Sequence, residues 1–417
     1  MVSEGQRKRY HKLLKERKEI RKKSVGRIKR NRWISMAIGV VTGLMIAWVM
    51  IKADMEGSMD IKDSIILVYA GFAVFLLVYI GHIIIHEAGH LIFGLMTGYR
   101  FLSFRIFSTI FYRKDGRIHK KKYSVKGTGG QCLMYPPKRR EDGSFPFVLY
   151  NLGGCINNLI FSLPFVIPLI VSHNLYLRIF FLILISAGIV TAVMNLIPMN
   201  TVIQNDGMNA KSMMKHRYMR EAFYFQLELN AQLSDGKRIT DYPPQAFSLP
   251  EGADDTNTLI SFIHSMAYYR QLAAHDFEAA RHTLASFEER SENCPIATQN
   301  FVNAERLFFM VIDHCSVEEI ASVYARSRFL LMSAKTDINI RRIRYVYEAF
   351  LTEEEKEDII TLINKKPPRE WKEFDREKSY RDFLKAAKNF PVWGEADMNI
   401  NIADYLKDVL TKRTVSN

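Results

Sequence analysis

The chain has 417 residues, with 58 Lys and Arg against 44 Asp and Glu, for a formal net charge of +14. Its mean hydropathy of -0.08 excludes a chain lying wholly in a membrane, because long apolar runs are balanced by polar regions elsewhere. The four cysteines (Cys132, Cys155, Cys294 and Cys315) form no Cys-x-x-Cys pair, so no thiolate metal or redox motif is present, and they are read as packing residues.

Residues 1–32 form a basic tail running from Arg7-Lys8-Arg9 to Arg30 and Arg32. It reads as a topology anchor on anionic headgroups, each Lys or Arg near the surface adding about 1 kcal/mol. No nucleic-acid-binding fold accompanies this charge, so no nucleic acid is expected as a partner. No small-residue cleavage site follows that would make it a signal peptide. Four windows then meet the criterion of about 20 mostly apolar residues for a membrane span. They are Trp33–Ile51, a stretch from Ile65 to Met96, Val148–Val171, and Leu175–Pro198. The second is read as one helix that projects beyond the hydrocarbon or bends near Gly94 and Gly98.

Charge sets the orientation. The loop from Tyr99 to Phe147 carries Lys120-Lys121-Lys122 and Lys138-Arg139-Arg140, whereas the loop after the first span is acidic at Asp54, Glu56, Asp60 and Asp63. The turn at Ser172, His173 and Asn174 has no Lys or Arg. The positive-inside rule then places both termini and the basic loop in the cytoplasm of a multi-pass cell-membrane protein.

Within the second span lies His86-Glu87-Ala88-Gly89-His90. Two imidazoles four residues apart share one helix face and can bind a single zinc ion, with the intervening Glu reaching a water beside it. Ionisable groups at membrane depth are costly and by default mark a functional site. His82, one turn earlier, is read as a hydrogen-bonded structural residue. A site of this kind needs another protein ligand. Asp206 is the candidate, because the fourth span ends on the cytoplasmic side at Asn195-Leu196-Ile197-Pro198, with Asp206-Gly207 shortly after. His, His and carboxylate favour zinc, while cobalt and iron accept the same donors.

These motifs, together with Gly153-Gly154-Cys155-Ile156-Asn157 in the third span, resemble the site-2-protease-like intramembrane zinc metalloproteases. The resemblance spans roughly residues 65–210 and carries three motifs in the family's order. It implies a core of the second, third and fourth spans with the first peripheral, and peptide-bond hydrolysis near the cytoplasmic leaflet. It implies one zinc on His86, His90 and Asp206, and Glu87 as general base and proton donor. Asn157 would contact the substrate backbone or oxyanion, and Asn195 and Pro198 would shape the third-ligand turn. One departure stands out: Met199 to Asn205 separate Pro198 from Asp206, a longer interval than the family usually has.

In the basic loop, Phe107–Arg113 and Ile118–Val125 flank Lys114-Asp115-Gly116-Arg117, which predicts a β-hairpin with an Asp-Gly turn. It serves either as a surface that aligns an extended substrate, as the resemblance implies, or as a basic loop on headgroups. Past Asp206 the chain reads as helix and linker, then as successive amphipathic helices near Leu259–Leu272, Phe277–Phe287, Thr298–Asp313, Val317–Met332 and Ile338–Phe350. They resemble tetratricopeptide-like hairpins without a clean period. Glu353-Glu354-Glu355 is read as a helix start, and the domain as a binding site for a cytoplasmic protein or peptide.

The predicted fold class is thus an α-helical polytopic membrane protein with four transmembrane helices, a small β-hairpin insertion and an all-α cytoplasmic C-terminal domain. Its parts are a tail over 1–32, a peripheral span over 33–52 and a metalloprotease core over 65–207 with its loop at 99–147. A helix and linker over 208–255 and a helical domain over 256–417 follow. The expected activity is that of a zinc metalloendopeptidase cleaving a membrane-embedded or membrane-tethered protein or peptide in the lipid bilayer. The competing reading is a catalytically silent membrane scaffold or receptor that binds partners through its helical domain.

Overall fold

Apolar runs long enough to cross a bilayer become helices, because no water is available there to satisfy an open backbone. The computed structural model describes residues 2–16, 43, 61–124, 128–199, 204–254, 256–291, 294–333, 337–365, 376–388, 398–402 and 404–407. The predicted span Trp33–Ile51 lies outside the described residues apart from Gly43. Among the described residues, three stretches are long and apolar enough to span: Val68–Met96, Val148–Val171 and Leu175–Leu196. The chain divides into two compact units, residues 27–120 with 128–227, and residues 1–26 with 121–127 and 228–417.

In the first unit, α1 (Ile61–Met96) is a single helix of 36 residues, about 54 Å long at about 1.5 Å per residue. It ends where Gly98 adopts φ 89°, a left-handed conformation that glycine takes without steric cost, while the amide of Tyr99 donates to Gly94 O. The predicted third span is α2 (Val148–Ser162), a short 3-10 turn (Leu163–Phe165) and α3 (Val166–Val171); the predicted fourth is α4 (Leu175–Leu196). Their packing is inside-out relative to a soluble bundle. Ile65, Phe72, Leu77, Ile160, Ile167 and Leu177 are exposed, whereas small and polar residues such as Gly153, Gly154, Asn158, Ser186, Gly188 and Thr191 are buried. An apolar exterior around a small-residue interior is the arrangement expected in lipid.

Between α1 and α2 the chain forms β1 (Arg100–Ile106), β2 (Thr109–Lys114), β3 (Arg117–Lys122) and β4 (Gly130–Tyr135). The predicted hairpin is present as β2 and β3. Asp115 and Gly116 both take positive φ, as a two-residue type I′ turn requires. Phe107, expected in the first strand, instead sits in the β1–β2 turn at φ 49°, and Val125 lies outside the described residues. The insertion is larger than a hairpin. β1 pairs antiparallel with both β2 and β4, giving the order β3-β2-β1-β4. β1 and β4 lack a local signal, because β1 does not alternate cleanly between buried and exposed positions and pairs with β4 through a bulge between Phe101 and Ser103.

After α4 the chain continues through α5 (Asp206–Lys215) and α6 (Arg217–Ser234). The second unit is an array of α7 (Thr258–Ala273), α8 (Phe277–Ser291), α9 (Ile296–Ile312), α10 (Val317–Ser333), α11 (Ile338–Phe350), α12 (Glu353–Ile363) and α13 (Arg376–Lys388). Its core is apolar, with Ile260, Leu272, Leu307, Phe308 and Ile343 fully buried. A fully buried ion pair lies inside it: Arg342 contacts both carboxylate oxygens of Glu305 at 2.9 and 2.7 Å, and Tyr268 donates to the same carboxylate. A helix over residues 4–16 belongs to this unit. Tyr10 is buried, and Arg9 pairs with Glu319 of α10 at 3.6 Å. The described start of the basic tail therefore packs on protein, where the sequence alone suggested headgroups; residues 17–32 lie outside the described residues.

Candidate metal centre

The helix period places His86 and His90 on one face of α1, and glycines let α2 close over them. A Cβ on Gly154 would lie 2.5 to 2.7 Å from three atoms of the His86 ring, and one on Gly153 would meet the carbonyl of Gly89 at 2.7 Å. His86 Nε2 and His90 Nε2 stand 3.2 Å apart. Asp206 Oδ2 lies 3.0 Å from the first and 3.4 Å from the second. Both histidines are buried, and the Asp206 side chain retains 22% exposure.

Asp206 arrives despite the long interval after Pro198, and Asn205 accounts for it. The Asn205 amide donates to Met194 O at 2.8 Å and Ile197 O at 2.6 Å, carbonyls at the open end of α4. Its Oδ1 accepts from the backbone amides of Met199 and Met208, capping α5. One side chain thus joins the end of one helix to the start of the next. Gly207 completes the return, because a Cβ there would collide with the carbonyl of Leu196. Burial opposes ionisation of Asp206, but the His90 and His86 imidazoles outweigh it and hold its carboxyl below the usual carboxylate range.

The donor chemistry fits a metal ion. His90 Nδ1 lies 2.7 Å from Tyr150 O, a carbonyl that can only accept, so this ring carries a proton on Nδ1 and in its neutral form presents a lone pair at Nε2. Two imidazole nitrogens and a carboxylate oxygen then converge with ligand atoms all within 4.8 Å of one another. Such a His-His-Asp group could hold a metal ion.

Glu87 packs against the sheet beside this triad. It is buried, and Gly130 at the start of β4 packs directly on its side chain. Arg105 fixes that contact from β1, donating to Gly130 O at 3.0 Å, to Phe107 O at 2.8 Å and to Thr128 Oγ1. Asn157 donates its amide to Ile85 O of α1 at 2.7 Å. Asn195 donates to Thr191 O of its own helix at 3.0 Å, and Asn205 bonds the carbonyls of Met194 and Ile197 at the third-ligand turn. Sequence reasoning passed over Asn158, Asn205 and Gly130. Only adjacency to the motifs marked them, and polar residues at a span's end are common enough to hide there. No protein-family model, curated protein or solved structure matches the chain.

Proposed function

We propose that the protein is an intramembrane zinc metalloprotease of the site-2-protease-like kind, cleaving membrane-embedded or membrane-tethered polypeptides near the cytoplasmic face. The observation that carries this reading is the convergence of His86, His90 and Asp206, with Glu87 one residue from the first ligand. Zinc is the ion these donors favour; when bound, it supplies Lewis acidity, polarising a carbonyl and acidifying water. Glu87 takes a proton from the attacking water and delivers it to the leaving amine.

The sheet supports a role in presenting substrate. β4 is an edge strand, and its first residue touches Glu87, so a peptide added along this edge would run extended past the base. A helical substrate must be extended there, because its carbonyls are otherwise tied into the helix. Docking of residues 4–16 on the helical array supports both termini lying on one side of the membrane, as an even number of spans requires. The helical array is assigned the binding of a cytoplasmic protein or peptide.

The test compares cells expressing the wild type with cells expressing Glu87→Gln, which keeps the side-chain shape and removes the base. Sequencing of membrane-protein fragments should reveal new termini near the cytoplasmic ends of spans, reduced by about 10²–10⁴-fold in the variant. Identical fragments and phenotypes in the two would replace the protease with the scaffold.

A further inference from the structure

We propose that His82 and Asn158 fix the tautomer of His86, keeping its Nε2 free of a proton and open to the metal. The inference rests on the metal-site reading above and assigns a positioning role to two residues outside the ligand set.

Both residues are sealed from solvent, His82 at 1% exposure and Asn158 at 0%. They form a polar chain through three helices. His82 Nε2 lies 3.0 Å from Leu184 O on α4. His82 Nδ1 lies 3.2 Å from the Asn158 amide on α2, and the other end of that amide lies 3.2 Å from His86 Nδ1. Glycines shape the slots: a Cβ on Gly188 would lie 2.6 Å from His82 Cε1, as one on Gly154 would intrude on His86.

At these contacts Oδ1 faces His82 and Nδ2 faces His86. The two ends of a carboxamide are isosteric, so the proton inventory selects the orientation. Leu184 O can only accept, which puts a proton on His82 Nε2. A neutral His82 then offers a lone pair at Nδ1, and only the amide nitrogen of Asn158 can satisfy it. A half-turn of the amide meets that need and brings Oδ1 to His86 Nδ1. An oxygen there requires the His86 proton on Nδ1, leaving a lone pair on Nε2. In the opposite orientation His82 would need protons on both nitrogens, a buried charge inside a span, and His86 would carry its proton on Nε2. His90 reaches the same state more simply, through the carbonyl of Tyr150. Metal-binding histidines are commonly oriented by a hydrogen bond at the second nitrogen. Here the carbonyl at the far end of the chain sets the polarity, and the amide transmits it.

Zinc affinity of the detergent-purified full chain, measured by chelator competition, tests this. His82→Leu should weaken binding by about 10–100-fold, the usual cost of losing such a partner. Adding Asn158→Asp to that chain should restore most of it, because a carboxylate accepts at either end and needs no orienting. Affinity unchanged in His82→Leu, or a loss that Asn158→Asp does not rescue, overturns the proposal in favour of a packing role. Nitrogen-15 spectra of histidine-labelled wild type give a reading independent of any variant's folding. They should show His82 protonated at Nε2 and His86 at Nδ1; the reverse at either residue overturns the relay. A wild type that binds no zinc would overturn the metal-site reading itself, whereas zinc-binding wild type with indifferent variants overturns only the relay.

Discussion

Two glycines separate the ligand from the base. Gly154 leaves room for the His86 ring, and Gly130 leaves room for the Glu87 side chain. In Gly154→Ala the new methyl lies within 2.7 Å of the imidazole, and α2 can recede only by giving up the close backbone packing of Gly153 on Gly89. Zinc affinity should fall, as chelator competition on the purified chain would show. Gly130→Ala should displace Glu87 instead, leaving zinc content intact while cleavage drops toward the level of Glu87→Gln. Equal effects of the two substitutions on zinc would contradict the assignment of separate roles.

At the scale of elements, the site depends on how α4 hands over to α5. Asn205→Ala removes hydrogen bonds to Met194 O and Ile197 O together with the cap on Met208, and Asp206 loses its anchor. Zinc affinity should fall in Asn205→Ala and survive largely in Asn195→Ala, whose amide bonds, among the described residues, within its own helix. This contrast shows what the sequence could and could not reveal. His86 and His90 were legible because helical spacing fixes their common face before any tertiary structure exists. Asp206 was legible through the expected chain topology, which put the ends of two apolar helices at similar depth. Asn205 was not legible, because its partners are backbone carbonyls eight and eleven residues back, exposed only once α4 has ended. The β2–β3 turn announced itself through Asp115-Gly116, whereas β4 depends on pairing with a distant strand and carries little local signal. In the helical array, Thr352 and Glu355 form a capping box at the start of α12, so the acidic cluster at 353–355 marks a helix beginning, as read.

The chain has one unit with an apolar exterior around small and polar residues and another with an apolar core, and the two should respond to different perturbations. Glu305→Ala leaves Arg342 charged and buried without its partner, which should destabilise the helical unit by about 3–5 kcal/mol. Urea unfolding of the full chain would register that loss, while zinc content should remain at the wild-type level. The central claim concerns the other unit, and metal analysis of detergent-purified protein tests it most directly, with wild type beside His86→Ala and Asp206→Ala. The account predicts about one zinc per wild-type chain, as a single site requires, and a sharp loss in both variants. A wild type without metal after zinc is resupplied, or an Asp206→Ala chain that binds zinc as well as wild type, would contradict it.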